Sequence, residues 1–277
     1  MKLFWDAEPS TSNKVVFPSN HDKALTPVMR NFLPLVFLIV MAAPASAESE
    51  KINPGQYVSD GSYGSLVIQK DKEGKLTFDI ESVGGNCHMC GVSGVIVDGV
   101  GRADDGTDEE DSKCLISFSA KNSEIAVEPI TGEKCRYYCG ARASFDGTYS
   151  IPPTACTRAN RQAQRDRFLV LYQSRQYSQA ADMLESLITQ CQKFMGWIEI
   201  DKVRSDLALA QYHNHQPEQC LKTLNDTLVA EVEDEEELKS GEKDVYLPPC
   251  DFDNYIATAK TIWFNKALCT SAKQKLE

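Results

Sequence analysis

Histidine is scarce in this chain: there are four, and beyond residue 47 only His88, His213 and His215 remain. No G-x-S-x-G elbow, no H-E-x-x-H pair and no glycine-rich phosphate loop occurs, which removes the common sequence signatures of hydrolases, zinc enzymes and nucleotide-binding proteins. A scattered Asp/Glu pair for sugar chemistry has no fixed spacing, so only that route to catalysis stays open. His213 and His215 stand two apart at a helix end and point in different directions, which suits capping better than metal ligation. Basic residues are also in deficit. Lysine and arginine total 29 against 40 acidic residues, a formal charge of −11, and about −12 without the first 47 residues. Nucleic acid and anionic membranes both need basic surface and are disfavoured as partners. A basic protein partner fits the charge, and so does ordinary solubility. Long apolar runs are missing too. The longest, Phe32 to Met41, is well short of the roughly 20 residues that span a bilayer, so no stable membrane insertion is expected. The chain reads as a non-enzyme with no cofactor and no metal.

That short run belongs to "MRNFLPLVFLIVMAAPASA", which has the parts of a secretory signal: Arg30, the apolar run, and the small-residue site Ala45-Ser46-Ala47. Pro34 and Pro44 argue against a buried core helix instead. Translation starts either at Met29 or at Met1 with a long leader, and residues 1–47 are set aside as leader and signal peptide. No L-x-x-C lipid-attachment pattern precedes the expected mature start, so a soluble periplasmic or secreted protein is expected. All ten cysteines follow residue 47, and an even count in an exported chain reads as a disulfide set.

Two modules of different periodicity follow, parted near Pro152-Pro153. In residues 48–152 short apolar-alternating runs are broken by turns. Leu66 to Ile68, "DKEGK" and Leu76, Phe78, Ile80 make one hairpin; Ile116, Phe118, "SAKNSE" and Ile125, Val127 make another; "VSGVIVDGVG" reads as one strand. Gly55-Gln-Tyr57 and Gly147-Thr-Tyr149 open and close the set. About seven short strands predict a small antiparallel barrel or sandwich. In residues 153–277 the spacing turns helical. A self-comparison at an offset of 40 aligns Tyr172 with Tyr212, Ala180 with Cys220, Leu184 with Leu224 and Ile188 with Leu228. A last helix over about 253–271 would cap these hairpins, giving an α+β chain with the β-domain first. The acidic run "EVEDEEELKSGEKD" reads as a solvated linker, and "DDGTDEED" at Asp104 to Asp111 as an exposed hairpin loop lacking the ligand spacing of a calcium site.

Cys87-His-Met-Cys90 admits three chemistries. A redox pair needs its first thiol at a helix N-terminus, but glycines and strand-like residues flank this one. Zinc could use Cys87, Cys90, Cys135 and Cys139, yet an oxidising compartment removes the thiolates. Disulfides are favoured. Cys87, Cys90, Cys114, Cys135, Cys139 and Cys156 fall to the β-module, where 15 pairings are open. Cys191, Cys220, Cys250 and Cys269 fall to the helices, where antiparallel packing predicts Cys220–Cys269 and Cys191–Cys250. "CRYYCGARASFDGTY", from Cys135, then reads as a stapled final strand presenting Arg136, Tyr137, Tyr138 and Arg142. Tyrosine and arginine are frequent binding anchors; aromatics in the core and arginines balancing an acidic surface is the plainer alternative, and the favoured one.

The β-module, through its cysteines and its closing "CGARASFDGTY", resembles the small disulfide-bearing domains of bacterial periplasmic lysozyme inhibitors. In such inhibitors a serine-glycine pair two residues ahead of a tyrosine helps plug the lysozyme cleft. Ser93-Gly94 matches the pair, with Val97 where the tyrosine would stand, and the resemblance makes Ser93 a candidate contact. The helical module resembles tetratricopeptide-like hairpins at Tyr177 and Ala180, with a longer period and without that family's glycine and closing proline. The function implied is an exported inhibitor or immunity-type protein against a basic cell-wall hydrolase. The alternative is an envelope scaffold that holds a peptide or protein through its helices.

Overall fold

In a computed structural model, residues 50–103 and 113–276 are described; the leader and signal segment and the Asp104–Asp111 run lie outside them. The strands are β1 (Gly55–Ser59), β2 (Gly64–Lys70), β3 (Leu76–Val83), β4 (Met89–Val97), β5 (Val100–Ala103), β6 (Leu115–Lys121), β7 (Glu124–Pro129) and β8 (Gly147–Ser150). Each pairs antiparallel with the next, and β8 returns to β1. The expected small barrel or sandwich of about seven strands is therefore corrected to a larger, closed barrel of eight among the described residues. The additional strand comes out of "VSGVIVDGVG". Asp98 and Gly99 take φ of 50° and 79°, the left-handed pair that a two-residue hairpin requires, so the run folds back as β4 and β5 instead of continuing as one strand.

Alternation sends Leu66, Ile68, Phe78, Ile80, Val92, Ile116, Phe118, Ile125 and Val127 inward to fill the barrel. Phe78 and Phe118 meet at 5.0 Å between ring centroids. Gly101 sits where any Cβ would strike both rings, so this position has room for a hydrogen only. Tyr149 is fully buried and donates its hydroxyl to the Phe145 carbonyl (2.7 Å), with burial raising its pKa.

A four-residue helix, α1 (Gly132–Cys135), lies in the β-part. Six more helices follow among the described residues: α2 (Arg158–Gln173), α3 (Tyr177–Cys191), α4 (Trp197–His213), α5 (Pro217–Leu224), α6 (Glu235–Ser240) and α7 (Pro249–Gln274). The offset of 40 reappears in the turns. Arg175 and His215 both have φ of 59°. Gln176 N–H bonds the Leu171 carbonyl as Gln216 N–H bonds that of Gln211, each at 2.9 Å. Both are helix ends closed by a left-handed residue. The acidic run is not merely a solvated linker: Asp234 caps α6 by accepting from the N–H groups of Glu236 and Glu237, and Leu238 is buried.

Disulfides decide how the halves meet. Cys90–Cys139 and Cys114–Cys135 staple the barrel, and Cys220–Cys269 ties α5 to α7 as expected. Cys191, however, bonds Cys156, and Cys250 bonds Cys87, which corrects the expected Cys191–Cys250 pair and the clean division of the cysteines between modules. The cause is local. In the α2–α3 hairpin the end of α3 lies beside the turn that enters α2, so Cys191 meets Cys156 first. Cys250, on the first turn of α7, reaches the barrel turn at Gly85–Cys87. There Asn86 donates its N–H to Asp251 Oδ2 (2.7 Å) and its Oδ1 accepts from Cys250 N–H (3.1 Å). On another side Val58 packs into the helical core. Lys193 bridges Glu124 (2.8 Å) and Asp60 (3.4 Å), and its hydrogen bond holds the Glu124 carboxyl below the usual range.

Candidate functional site

The site is the segment between β7 and β8. Thr131 opens it, its hydroxyl accepting from Leu115 N–H (2.8 Å) and donating to the Lys113 carbonyl (3.1 Å). α1 follows, then a 3-10 turn over Arg136–Tyr138, then a turn at Ala141–Arg142 and an irregular stretch to Gly147. Cys135 is bridged to Cys114 and Cys139 to Cys90, with Cα atoms 4.6 and 4.0 Å apart. Gly140 N–H bonds the Met89 carbonyl (2.8 Å), and Ser82 Oγ donates to the Ser144 carbonyl (2.7 Å). Gly140 lies against the His88 ring, and Gly84 against the Arg142 backbone. The segment is thus fastened to the β3–β4 end of the barrel at several points along its length.

The four candidate anchors divide into two pairs. Arg136 turns back on its own loop, its guanidinium donating to the carbonyls of Ala141 and Ala143. Tyr138 is half-buried and packs on the barrel core. Tyr137, edge-on to it at 5.8 Å, is 89 % exposed. Arg142 is exposed and has no side-chain partner among the described residues. Two of the four side chains therefore build the frame and two face solvent.

Ser93 lies elsewhere. It is exposed on the barrel wall, in mid-β4 and opposite Asp79, four residues and roughly 13 Å along the strand from Met89. Val97 ends the same strand and is exposed too. Met89 was not singled out by sequence reasoning, yet it is 51 % exposed and belongs to the strand end that the loop is fastened to. Its signal is the alternation before Cys90: an inward cysteine makes its neighbour face outward. His213 stacks on Tyr177 at 4.8 Å between centroids and His215 closes α4, so both serve helix ends.

Among the described residues no group of three or more His, Cys, Asp or Glu side chains is arranged to hold a metal ion, and no helix is long and apolar enough to cross a membrane. The five disulfides fit an oxidising, exported environment. No family model matches the chain, and neither the curated proteins nor the solved structures give a match.

Proposed function

We propose that this chain is an exported, non-enzymatic binding protein of the periplasm or the secreted space. It blocks a cell-wall hydrolase of lysozyme type by inserting the Cys135–Asp146 loop into the enzyme's cleft. The observation that carries this reading is Tyr137, 89 % exposed between two bridged cysteines. A large, amphipathic side chain on a loop that is already ordered contributes contact area without the entropy loss of fixing the loop on binding. Glycan hydrolases keep a pair of carboxylates in the cleft, and Arg142, exposed on the same loop, supplies a cation to meet them. The net charge of −11 would steer a basic enzyme towards the complex and make its formation salt-sensitive. Ser93 is then a contact of the barrel wall, outside the inserting loop.

The test is calorimetric titration of a basic lysozyme with the oxidised mature chain, alongside a cell-wall lysis assay. Binding should weaken as salt rises. Tyr137→Ala should weaken it by about 30-fold, the effect of losing a central anchor, and Arg142→Ala by less. Absence of binding and of inhibition at low salt would end the inhibitor reading. Binding indifferent to Tyr137 and Arg142 would remove the loop from it.

A further inference from the structure

The α2–α3 hairpin forms one end of the helical stack, and the internal correspondence shows what such an end is shaped to receive. On α4, Val203, Leu207 and Ala210 are buried in the core that α4 shares with α3. Their counterparts on α2, at an offset of 40, are Ala163, Arg167 and Val170, and all of these are exposed, Val170 at 62 %. Beside this strip runs an open groove between α2 and α3 of about 500 Å³. Leu171 and Met183 are its half-buried apolar part, packed on the core; Arg167 lies on its α2 side and Asp182 on its α3 side. Arg167 and Asp182 are exposed, and neither has an ion-pair partner among the described residues.

We infer that this face is a self-association surface, on which the α2–α3 end of a second copy docks about a two-fold axis. The argument is charge complementarity together with shape. In a two-fold contact, residue i of one copy meets residue j of the other and j meets i. Opposite charges on the two sides of one groove are what such a contact needs: each Arg167 reaches Asp182 of the second copy, and both pairs form at once. A partner surface of a single sign would satisfy one side and repel the other. Ala163 has no side chain beyond its Cβ, so a helix can approach closely there, as α3 approaches α4 over Ala210. Val170, Leu171 and Met183 supply the apolar area that the contact would cover.

Sedimentation velocity of the oxidised chain over a wide concentration range tests this. The expected result is a monomer–dimer equilibrium. Arg167→Asp and Asp182→Arg should each weaken dimerisation by about tenfold or more, because each sets like charges face to face. The Arg167→Asp/Asp182→Arg double variant should restore it to within about threefold of the parent. These positions are exposed, and unchanged thermal unfolding checks that the variants fold. A monomer at every concentration overturns the inference, as does a dimer indifferent to the single reversals or a double variant that fails to recover. A monomer whose groove takes up a peptide or another protein instead also overturns it. Tyr137→Ala should dimerise normally, so failure here and failure of the inhibitor reading are separate results.

Discussion

Replacing Cys87 and Cys250 together by serine removes the covalent link between barrel and α7, and its cost can be worked out. The two residues are 163 apart in sequence. Closing an open loop of that size restricts the unfolded chain by about 5 kcal/mol. The loop is not open, however. Cys90–Cys139, Cys156–Cys191 and Cys220–Cys269 short-circuit it, leaving about 70 residues of free path and a contribution of about 4 kcal/mol. One native-state term works the other way. Cys87 is held in the left-handed region at φ 59°, a conformation that costs a non-glycine residue about 1–2 kcal/mol, and without the bridge the turn is freer to relax. The Asn86–Asp251 and Cys250–Asn86 hydrogen bonds remain to keep α7 docked. The net expectation is a loss of about 2–3 kcal/mol.

Equilibrium unfolding of the oxidised variant in guanidinium chloride reads this directly. Trp197, packed on Tyr255 of α7 at 4.5 Å, serves as the fluorescent probe. The midpoint should fall and the slope should rise slightly, since the unfolded chain becomes less compact. Amide exchange should accelerate first at the turn around Asn86 and at the first turn of α7. A loss below about 1 kcal/mol with an unchanged slope would refute the reasoning. The docking would then rest on packing and hydrogen bonds alone.

Two further outcomes follow from buried charge. Arg161, only 5 % exposed, meets both carboxylate oxygens of Glu199 at 2.8 Å and the Cys156 carbonyl at 2.6 Å. Arg161→Ala should therefore destabilise by about 3 kcal/mol in thermal unfolding, because the Glu199 side chain, only 13 % exposed, loses the guanidinium that holds both its oxygens; Arg161→Met with Glu199→Leu should recover most of that. Asp201 is buried on α4, accepting from Tyr255 Oη (2.6 Å) and Leu228 N–H (2.9 Å), and burial outweighs those bonds, raising its pKa above 3.8. The folded state then holds the proton to higher pH than the unfolded state. The stabilisation is complete below pH 3.8 and is lost as pH rises through the raised value. Urea midpoints of Asp201→Asn should gain on those of the parent across that interval, and parallel profiles would refute the assignment.

What the sequence allows to be read follows the range of the interaction. The hairpin at Leu66–Ile80 is legible because alternation and the "DKEGK" turn lie within one short run; Asp71 Oδ1 accepts from Glu73 N–H (2.8 Å) and Lys75 N–H (2.9 Å) to close that turn. Asp98-Gly99 carries an equally local signal, a two-residue turn that divides one run into β4 and β5 and lets the barrel close. Cys220–Cys269 is legible from antiparallel helices, whereas Cys87–Cys250 is not, since it depends on where a barrel turn meets a helix start distant in sequence. The anchors show the same limit. Nothing local separates Arg136 from Arg142: one finds the carbonyls of Ala141 and Ala143 only once the loop is folded, and the other is left facing water.

That partition makes a distinct demand on the proposed complex. Cys139 is bridged to Cys90, and Gly140 is bonded to Met89, so the loop is fastened to β4 and not to the helices. Removing the link to α7 should consequently lower stability while costing less affinity for the hydrolase than loss of Cys90–Cys139, because the loop meets the Gly84–His88 turn only by packing at Gly140 and Arg142. Cys90→Ala with Cys139→Ala should act in the opposite sense. The barrel keeps its strand ladder and the loop keeps Cys114–Cys135 and its hydrogen bonds, but its Cys139 end loosens, so Tyr137 and Arg142 must be further ordered during binding, at about 0.5–1.5 kcal/mol for each side chain immobilised. Affinity should fall by about tenfold or more, mainly through faster dissociation. Equal affinity of the two double variants, measured by surface plasmon resonance against the same lysozyme, would mean that the rigidity of this loop has no part in binding.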